Sequence, residues 1–309
     1  MINRIVIPLD RSTLSESVVP FGVLLARTLR SSIDYLHVID KDTVSKMAGA
    51  ESYLSSIVER FPSPAGHRSL IRTGDPAEAI LDVAGDSGTM VVMATHGYTG
   101  LRRMILGSVA DAVVRHARVP IALVRGDRKF RLPEETFRRL LVPLDGSQRS
   151  LHALPLAFAI AQPSEAKLDL LHVIVPVSMG EYGAAGIDPG YVPPEVYASM
   201  MDDLEVVARE DLETAASACV QAGIDADIHS PFGTPADSIY HLAEDTHADL
   251  IVMSTHGRGG ASRVLMGSVA TAIIHRSLVP VIVLPASYAE DEPGGATPDT
   301  TRQDASIEV

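Results

Sequence analysis

The sequence predicts an open, doubly wound α/β domain of about 140 residues, used twice in tandem. Three observations predict it: the 309-residue chain repeats itself, each copy alternates short apolar runs with longer helix-period segments, and those runs are continuous in Val, Ile and Leu. Continuous apolar runs mark strands buried on both faces, as in a parallel sheet covered by helices.

The repeat is direct. RIVIPLD (4–10) returns as RLLVPLD (139–145), 135 residues later, and YLHVI (35–39) returns as LLHVI (170–174) at the same offset. GDPAEAI (74–80) matches GTPADSI (233–239) at offset 159. VMATHG (92–97) and LGSVADAVVRHARVPIALV (106–124) match VMSTHG (252–257) and MGSVATAIIHRSLVPVIVL (266–284) at offset 160. The jump from 135 to 159 is a net insertion of 24 residues in VSMGEYGAAGIDPGYVPPEVYASMM. That stretch reads either as a functional loop or lid leading into a helix, or as a tolerated surface insertion.

In the first copy, IVIPL is the first strand and SESVVPFGVLLARTL the helix after it. IDYLHVI is the second strand, HRSLIRTG a weaker one, and MVVMAT and PIALV the last two. DPAEAILDVA starts a helix with Pro76 in its first turn, and SVADAVVRHA continues from a glycine-rich loop. The expected organisation is a first domain over 1–126, a polar link over 127–137, a second domain over 138–285 and an acidic, disordered tail over 286–309.

A net charge of -13 without any basic run argues against nucleic acid as a partner. The single cysteine, Cys219, excludes an internal disulfide framework and a Cys-based zinc site; it reads as a buried inert thiol, with a redox thiol as the alternative. No run reaches the roughly 18 to 20 apolar residues that span a bilayer, and MINRIVIPLD has no leader pattern, so the expected location is cytoplasmic.

Ligands of open parallel sheets bind beyond the carboxyl ends of the strands. Two places there recur in both copies. One is the acid after strand one, Asp10 and Asp145, reached through the extended steps at Pro8 and Pro143. The other is the loop after the fourth strand, THGYTGLRRMILGSVA and THGRGGASRVLMGSVA. Gly97 and Gly257 leave the strand abruptly, while Gly107-Ser108 and Gly267-Ser268 stand just before a helical pattern. Glycine admits close backbone approach, and a helix N-terminus offers N–H groups to an anion. Ser108 and Ser268 either cap the helix or donate to a phosphate oxygen. His96 and His256 either orient the loop or contact phosphate and move a proton; Arg102, Arg103, Arg258 and Arg263 either neutralise phosphate or are solvated surface. His37 and His172 read as structural, and Met93 and Met253 as packing residues. No Walker lysine loop, nucleophile elbow or H-E-x-x-H stands in the chain.

With these residues the chain resembles the universal stress protein family, whose ATP-binding members carry Gly, two residues, Gly, nine residues, Gly, then Ser or Thr. The resemblance spans Ile2 to Val124 and Phe137 to Leu284. It implies a five-stranded parallel sandwich per copy, with VPIALV and VPVIVL pairing across a pseudo-two-fold axis, so that one chain forms a pseudo-dimer; a further homodimer stays open. It implies adenine near Asp10 or Asp145 and the backbone of Val38 or Val173. It implies phosphates at Gly97, Gly107, Ser108 and Val109, or at Gly257, Gly267, Ser268 and Val269. Where the family has its first glycine, this chain has Ala94 in one copy and Ser254 in the other. The implied cofactor is ATP, with Mg2+ carried largely by phosphates and water.

Three functions follow as expectations: an ATP-binding stress-response and signalling module, a slow ATP hydrolase or phosphotransfer enzyme, and a scaffold with purely structural glycine loops. The first is the leading one, with binding in both copies and the first copy favoured because no long insertion crosses it.

Overall fold

The apolar run at IVIPL forms β1 (Arg4–Pro8) in a computed structural model that describes residues 1–39, 44–63, 65–85, 88–95, 106–125, 132–133, 135–176, 193–255, 266–285 and 288. The first half continues with α1 (Thr13–Ser17), α2 (Val19–Leu29), β2 (Ser32–Ile39), α3 (Val44–Arg60), β3 (His67–Thr73), α4 (Pro76–Ala84), β4 (Thr89–Ala94), α5 (Ser108–His116) and β5 (Ile121–Val124). The second half runs through β6 (Arg139–Leu144), α6 (Gln148–Leu151), α7 (Ala153–Ser164), β7 (Lys167–His172), α8 (Pro194–Gln221), β8 (Ala226–His229), α9 (Pro235–Asp245), β9 (Leu250–Ser254), α10 (Ser268–Arg276) and β10 (Val281–Leu284).

The single helix expected over SESVVPFGVLLARTL is two, α1 and α2, meeting at Val18. Pro20 supplies no amide to the first turn of α2, so the ladder restarts there. The second copy breaks at His152, ahead of Pro155. Elsewhere the signals act locally: the Asp75 side chain accepts from the backbone N–H groups of Ala77 and Glu78, with Pro76 as the first residue of α4.

The strand order is β3-β2-β1-β4-β5-β10-β9-β6-β7-β8. Every neighbouring pair is parallel except β5 and β10, which run antiparallel with Leu123 opposite Val281, Ala122 opposite Ile282 and Ile121 opposite Val283. Two five-stranded parallel half-sheets are thus joined edge to edge as a pseudo-dimer. Both faces of the sheet are covered. On one, Ile5, Ile7, Phe21 and Tyr35 share a core with Leu140, Val142, Leu154 and Ile160; on the other, Val6, Leu36 and Ile80 share one with Leu141, Ile251 and Ile273. Phe137, the end of the stretch expected to be a polar link, is fully buried and meets Phe21 edge-on at 6.0 Å. At Gly22 an added Cβ would lie 2.4 Å from Ile7 Cδ1, so the absence of a side chain lets α2 close onto β1.

The inserted segment continues into α8 from Pro194, while its residues 177–192 lie outside the described residues, as do the expected disordered tail (Tyr288 apart) and most of the link.

Candidate functional site

Within each half the strand order reverses direction between the first strand and the fourth, the switch point at which open α/β sheets bind ligands. A proline opens it. Leu9 donates its backbone N–H to Leu36 of β2, whereas Arg4 donates to Gly88 on the β4 side. Alternation then puts the N–H that Pro8 lacks on the β4 side. The β1–β4 register accordingly ends at Val6 opposite Val91, although β1 runs on to Pro8 and β4 to Ala94. In the second half the β6–β9 register ends at Leu141 opposite Ile251, and Pro143 stands where Pro8 does. Each half therefore has a crevice beyond its first and fourth strands.

An acid-bearing turn forms one wall. Asp10 Oδ1 accepts from the Ser12 N–H at 3.0 Å and the Ser12 hydroxyl at 2.5 Å, while the Asp10 N–H donates to Ser15 Oγ. Asp145 repeats this with Ser147, at 3.1 and 2.6 Å, and with Ser150. Ser12 and Ser147 also cap α1 and α6. The two aspartates are thus held rigidly at the crevice mouth by the same turn in both copies.

A helix N-terminus forms the other. Gly107 and Gly267 occupy the N-cap positions of α5 and α10, and among the described residues neither helix has a side-chain cap bond. This corrects the capping option for Ser108 and Ser268: each is the first helical residue, exposed at the mouth, because the glycine before it takes the cap position. The intervening loop is tied shut at its base, where the Gly107 N–H donates to the Thr95 carbonyl and the Gly267 N–H to the Thr255 carbonyl, both at 2.8 Å. Val109 and Val269 follow, half-buried against the core. Ala94 and Ser254 end β4 and β9 in extended backbone, paired with Val124 and Leu284, and so need none of glycine's conformational freedom. His96, Gly97, His256, Gly257 and the four loop arginines lie outside the described residues. In the first turn, α5 carries Asp111, paired with Arg115 at 2.8 Å, where α10 carries Thr271.

Val38 in β2 and Val173 just after β7 are half-buried beside the acid wall. Their neighbours are structural, as expected. His37 Nδ1 lies 2.6 Å from the Leu9 carbonyl, and burial lowers its pKa against the pull of that contact. His172 Nδ1 lies 3.4 Å from Asp211 Oδ2 of α8. Met93 and Met253 pack in the core. Cys219 is fully buried and its thiol is pushed up to about 11 by that burial, as an inert thiol would be. Sequence reasoning missed Arg11 beside Asp10, whose left-handed backbone has φ 65°. The one signal for it was that Gly146 occupies the same place in the second copy.

A second group of acids lies nearer the amino ends of the strands. Asp34, fully buried in β2, receives a bidentate contact from Arg68 at 2.8 and 2.6 Å. Its repeat partner Asp169, also fully buried, receives Arg139 at 2.5 and 3.0 Å, and His229 Nε2 at 2.8 Å. Asp227 stands where Arg68 does and binds Arg139 and Lys167, each at 2.7 Å. The Lys167 hydrogen bond holds Asp227 below the usual carboxylate range. Asp169, Asp227 and His229 have cation-ligand spacing, but Arg139 and Lys167 already supply the counter-charge.

No helix of the described residues is long and apolar enough to cross a membrane. A family description, "Universal stress protein family", matches residues 1–125 and 136–285. A universal stress protein of Mycolicibacterium smegmatis is 27% identical over 305 residues, 91% of this chain and 96% of that one. One of Mycobacterium tuberculosis is 29% identical over 208 residues, 67% of this chain and 65% of its own length. Among solved structures, a universal stress protein of Archaeoglobus fulgidus superposes with a TM-score of 0.68 at 23% identity, covering 92% of this chain and 98% of that one. With the family matched across both half-sheets and the tandem fold shared along nearly the whole chain, the protein belongs to the universal stress protein family.

Proposed function

We propose that each half binds ATP in its crevice and that the protein acts as a nucleotide-dependent stress-response and signalling module. The observation that carries this is a pairing made in both copies: a proline-opened crevice faces a glycine-capped helix N-terminus that no side chain of the described residues caps, with the cap glycine bonded back to the end of the fourth strand. The N–H groups at Ser108 and Val109, or Ser268 and Val269, carry the partial positive charge that phosphates seek. The nucleoside then lies toward the opposite wall, by Pro8, Asp10 and Val38, or Pro143, Asp145 and Val173. Ala94, His96, Gly97 and Gly107, with Ser254, His256, Gly257 and Gly267, complete the proposed sites. Mg2+ enters with the triphosphate, held mainly by phosphate oxygens and water. A cytoplasmic setting and protein partners that read the bound state belong to the same proposal. Thr271 in place of Asp111 makes the second helix end the less repulsive to an anion, so both halves are sites despite the insertion in the second.

The test is thermal unfolding of the full chain with and without Mg-ATP, together with identification of any nucleotide released on denaturation. ATP at a hundred times its dissociation constant stabilises by about 2.7 kcal/mol. Gly107→Asp with Gly267→Asp keeps a good N-cap residue while setting a carboxylate against the phosphates, and should abolish the shift. Absence of both a shift and a copurified nucleotide in the parent protein rejects the proposal in favour of the scaffold.

A further inference from the structure

The two halves differ beside the crevice. The turn after the strand-one acid takes a left-handed residue in both, Arg11 at φ 65° and Gly146 at φ 76°. Glycine adopts that conformation freely, whereas a side chain makes it strained, so the first copy holds an arginine where the backbone favours none. Strain kept at one of two equivalent turns points to a use for the side chain.

The Arg11 guanidinium lies over the Tyr53 ring of α3, 5.4 Å from its centroid, and Tyr53 in turn meets His37 edge-on at 5.5 Å. Arg11 is exposed, and among the described residues its guanidinium makes no ion pair. Among the described residues the nearby acids are engaged elsewhere: Asp10 binds Ser12, and Glu16 binds Arg60. In the second half, superposing the buried Ala50 and Leu54 of α3 on Ala208 and Leu212 of α8 sets Asp211 in the place of Tyr53. Asp211 faces His172 there, as Tyr53 faces His37. The corner between the first two strands and their covering helix therefore carries a guanidinium stacked on tyrosine in one half and a carboxylate facing a histidine in the other.

Arg11 stacks on α3, which packs on the sheet face opposite α5. A nucleotide with its phosphate chain on α5 would turn its nucleoside end to that guanidinium. Resting on the nucleotide reading above, we infer that the two crevices select different ligands: the first takes an adenine nucleotide with a second anionic group, a ribose phosphate, held by Arg11, and the second does not.

Calorimetric titration of the full chain with ADP, and with ADP carrying a ribose 2′- or 3′-phosphate, tests this. One of the ribose-phosphorylated forms should bind a single site per chain about tenfold more tightly than ADP, the size of one charge-assisted contact at an exposed corner. Arg11→Gly, which installs the residue of the other copy, should bring the two dissociation constants together. Arg11→Gln, which keeps most of the stem over Tyr53 without the charge, should do the same. Gly146→Arg with Asp211→Tyr should create a second tight site. Equal affinities in the parent protein, or a preference that survives both Arg11 variants, overturn the inference and leave nucleotide binding standing. Failure of ADP, ATP and both phosphorylated forms to bind overturns the two together.

Discussion

Replacing Arg139 by leucine strikes the charge network at the second half's outer strands. The guanidinium spans Asp169 with Nε at 2.5 Å and Nη2 at 3.0 Å, and reaches Asp227 at 2.7 Å. Asp169 has no exposed surface. Without Arg139 its carboxylate stays buried with His229 as its remaining close partner among the described residues. Breaking a buried pair by removing one member costs about 3–5 kcal/mol. At about 2–4 °C per kcal/mol this lowers the melting temperature by on the order of 10 °C. Arg139→Lys keeps the charge but loses the fork, and should fall between the parent and the leucine variant. Arg68→Leu should cost less, since Arg68 is mostly exposed and Arg4 remains 3.8 Å from Asp34 as a second cation. Urea and thermal midpoints of these variants, and of Arg139→Leu with Asp169→Leu, measure the effects. The double variant should regain much of the loss, because it removes both members of the pair. A loss under about 1 kcal/mol for Arg139→Leu, below the range for a broken buried pair, or a double variant no more stable than the single, refutes the reasoning. Stabilisation of Arg139→Leu by added Mg2+ would instead give Asp169, Asp227 and His229 a cation-binding role.

Two further outcomes are expected. Burial lowers the His37 pKa, so as pH falls below about 6.5 the unfolded chain protonates first; its stabilisation is complete above that value and is lost in the window beneath it. His37→Asn should flatten the stability curve there, and an unchanged slope across that window would count against the assignment. Cys219, with its thiol raised to about 11 by burial, should resist alkylation in the native protein at pH 8 and react promptly in denaturant. Native labelling at the rate of a free thiol would contradict its placement.

The inner strands were legible because their environment is uniform: β4 is buried at all six positions, and an unbroken apolar run is the pattern that fits, whereas the exposed edge strand β3 left the weaker signal of HRSLIRTG. The crevice followed from repetition, which marked Asp10 and Gly107 by their second occurrence at Asp145 and Gly267. Pairing of β5 with β10 was read only through the family resemblance, since nothing in VPIALV states which edge it meets. Lateral relations stayed hidden. Asp34 sits inside IDYLHVI as though in an apolar run, and its partner Arg68 comes from a strand more than thirty residues later. Asp211 differs from Tyr53 across a helix whose register the insertion obscures. Ser108 looked like a cap because Gly-Ser before a helix permits either residue to hold that position, and only the backbone geometry chooses.

The antiparallel meeting of β5 and β10 turns the carboxyl ends of the two half-sheets to opposite rims of one continuous sheet. A flat surface can cover one crevice and not the other. The chain therefore has two poles and not a jaw: its two crevices open at opposite rims, with α5 and α10 on the same face, linked by the hydrogen-bonded ladder between them.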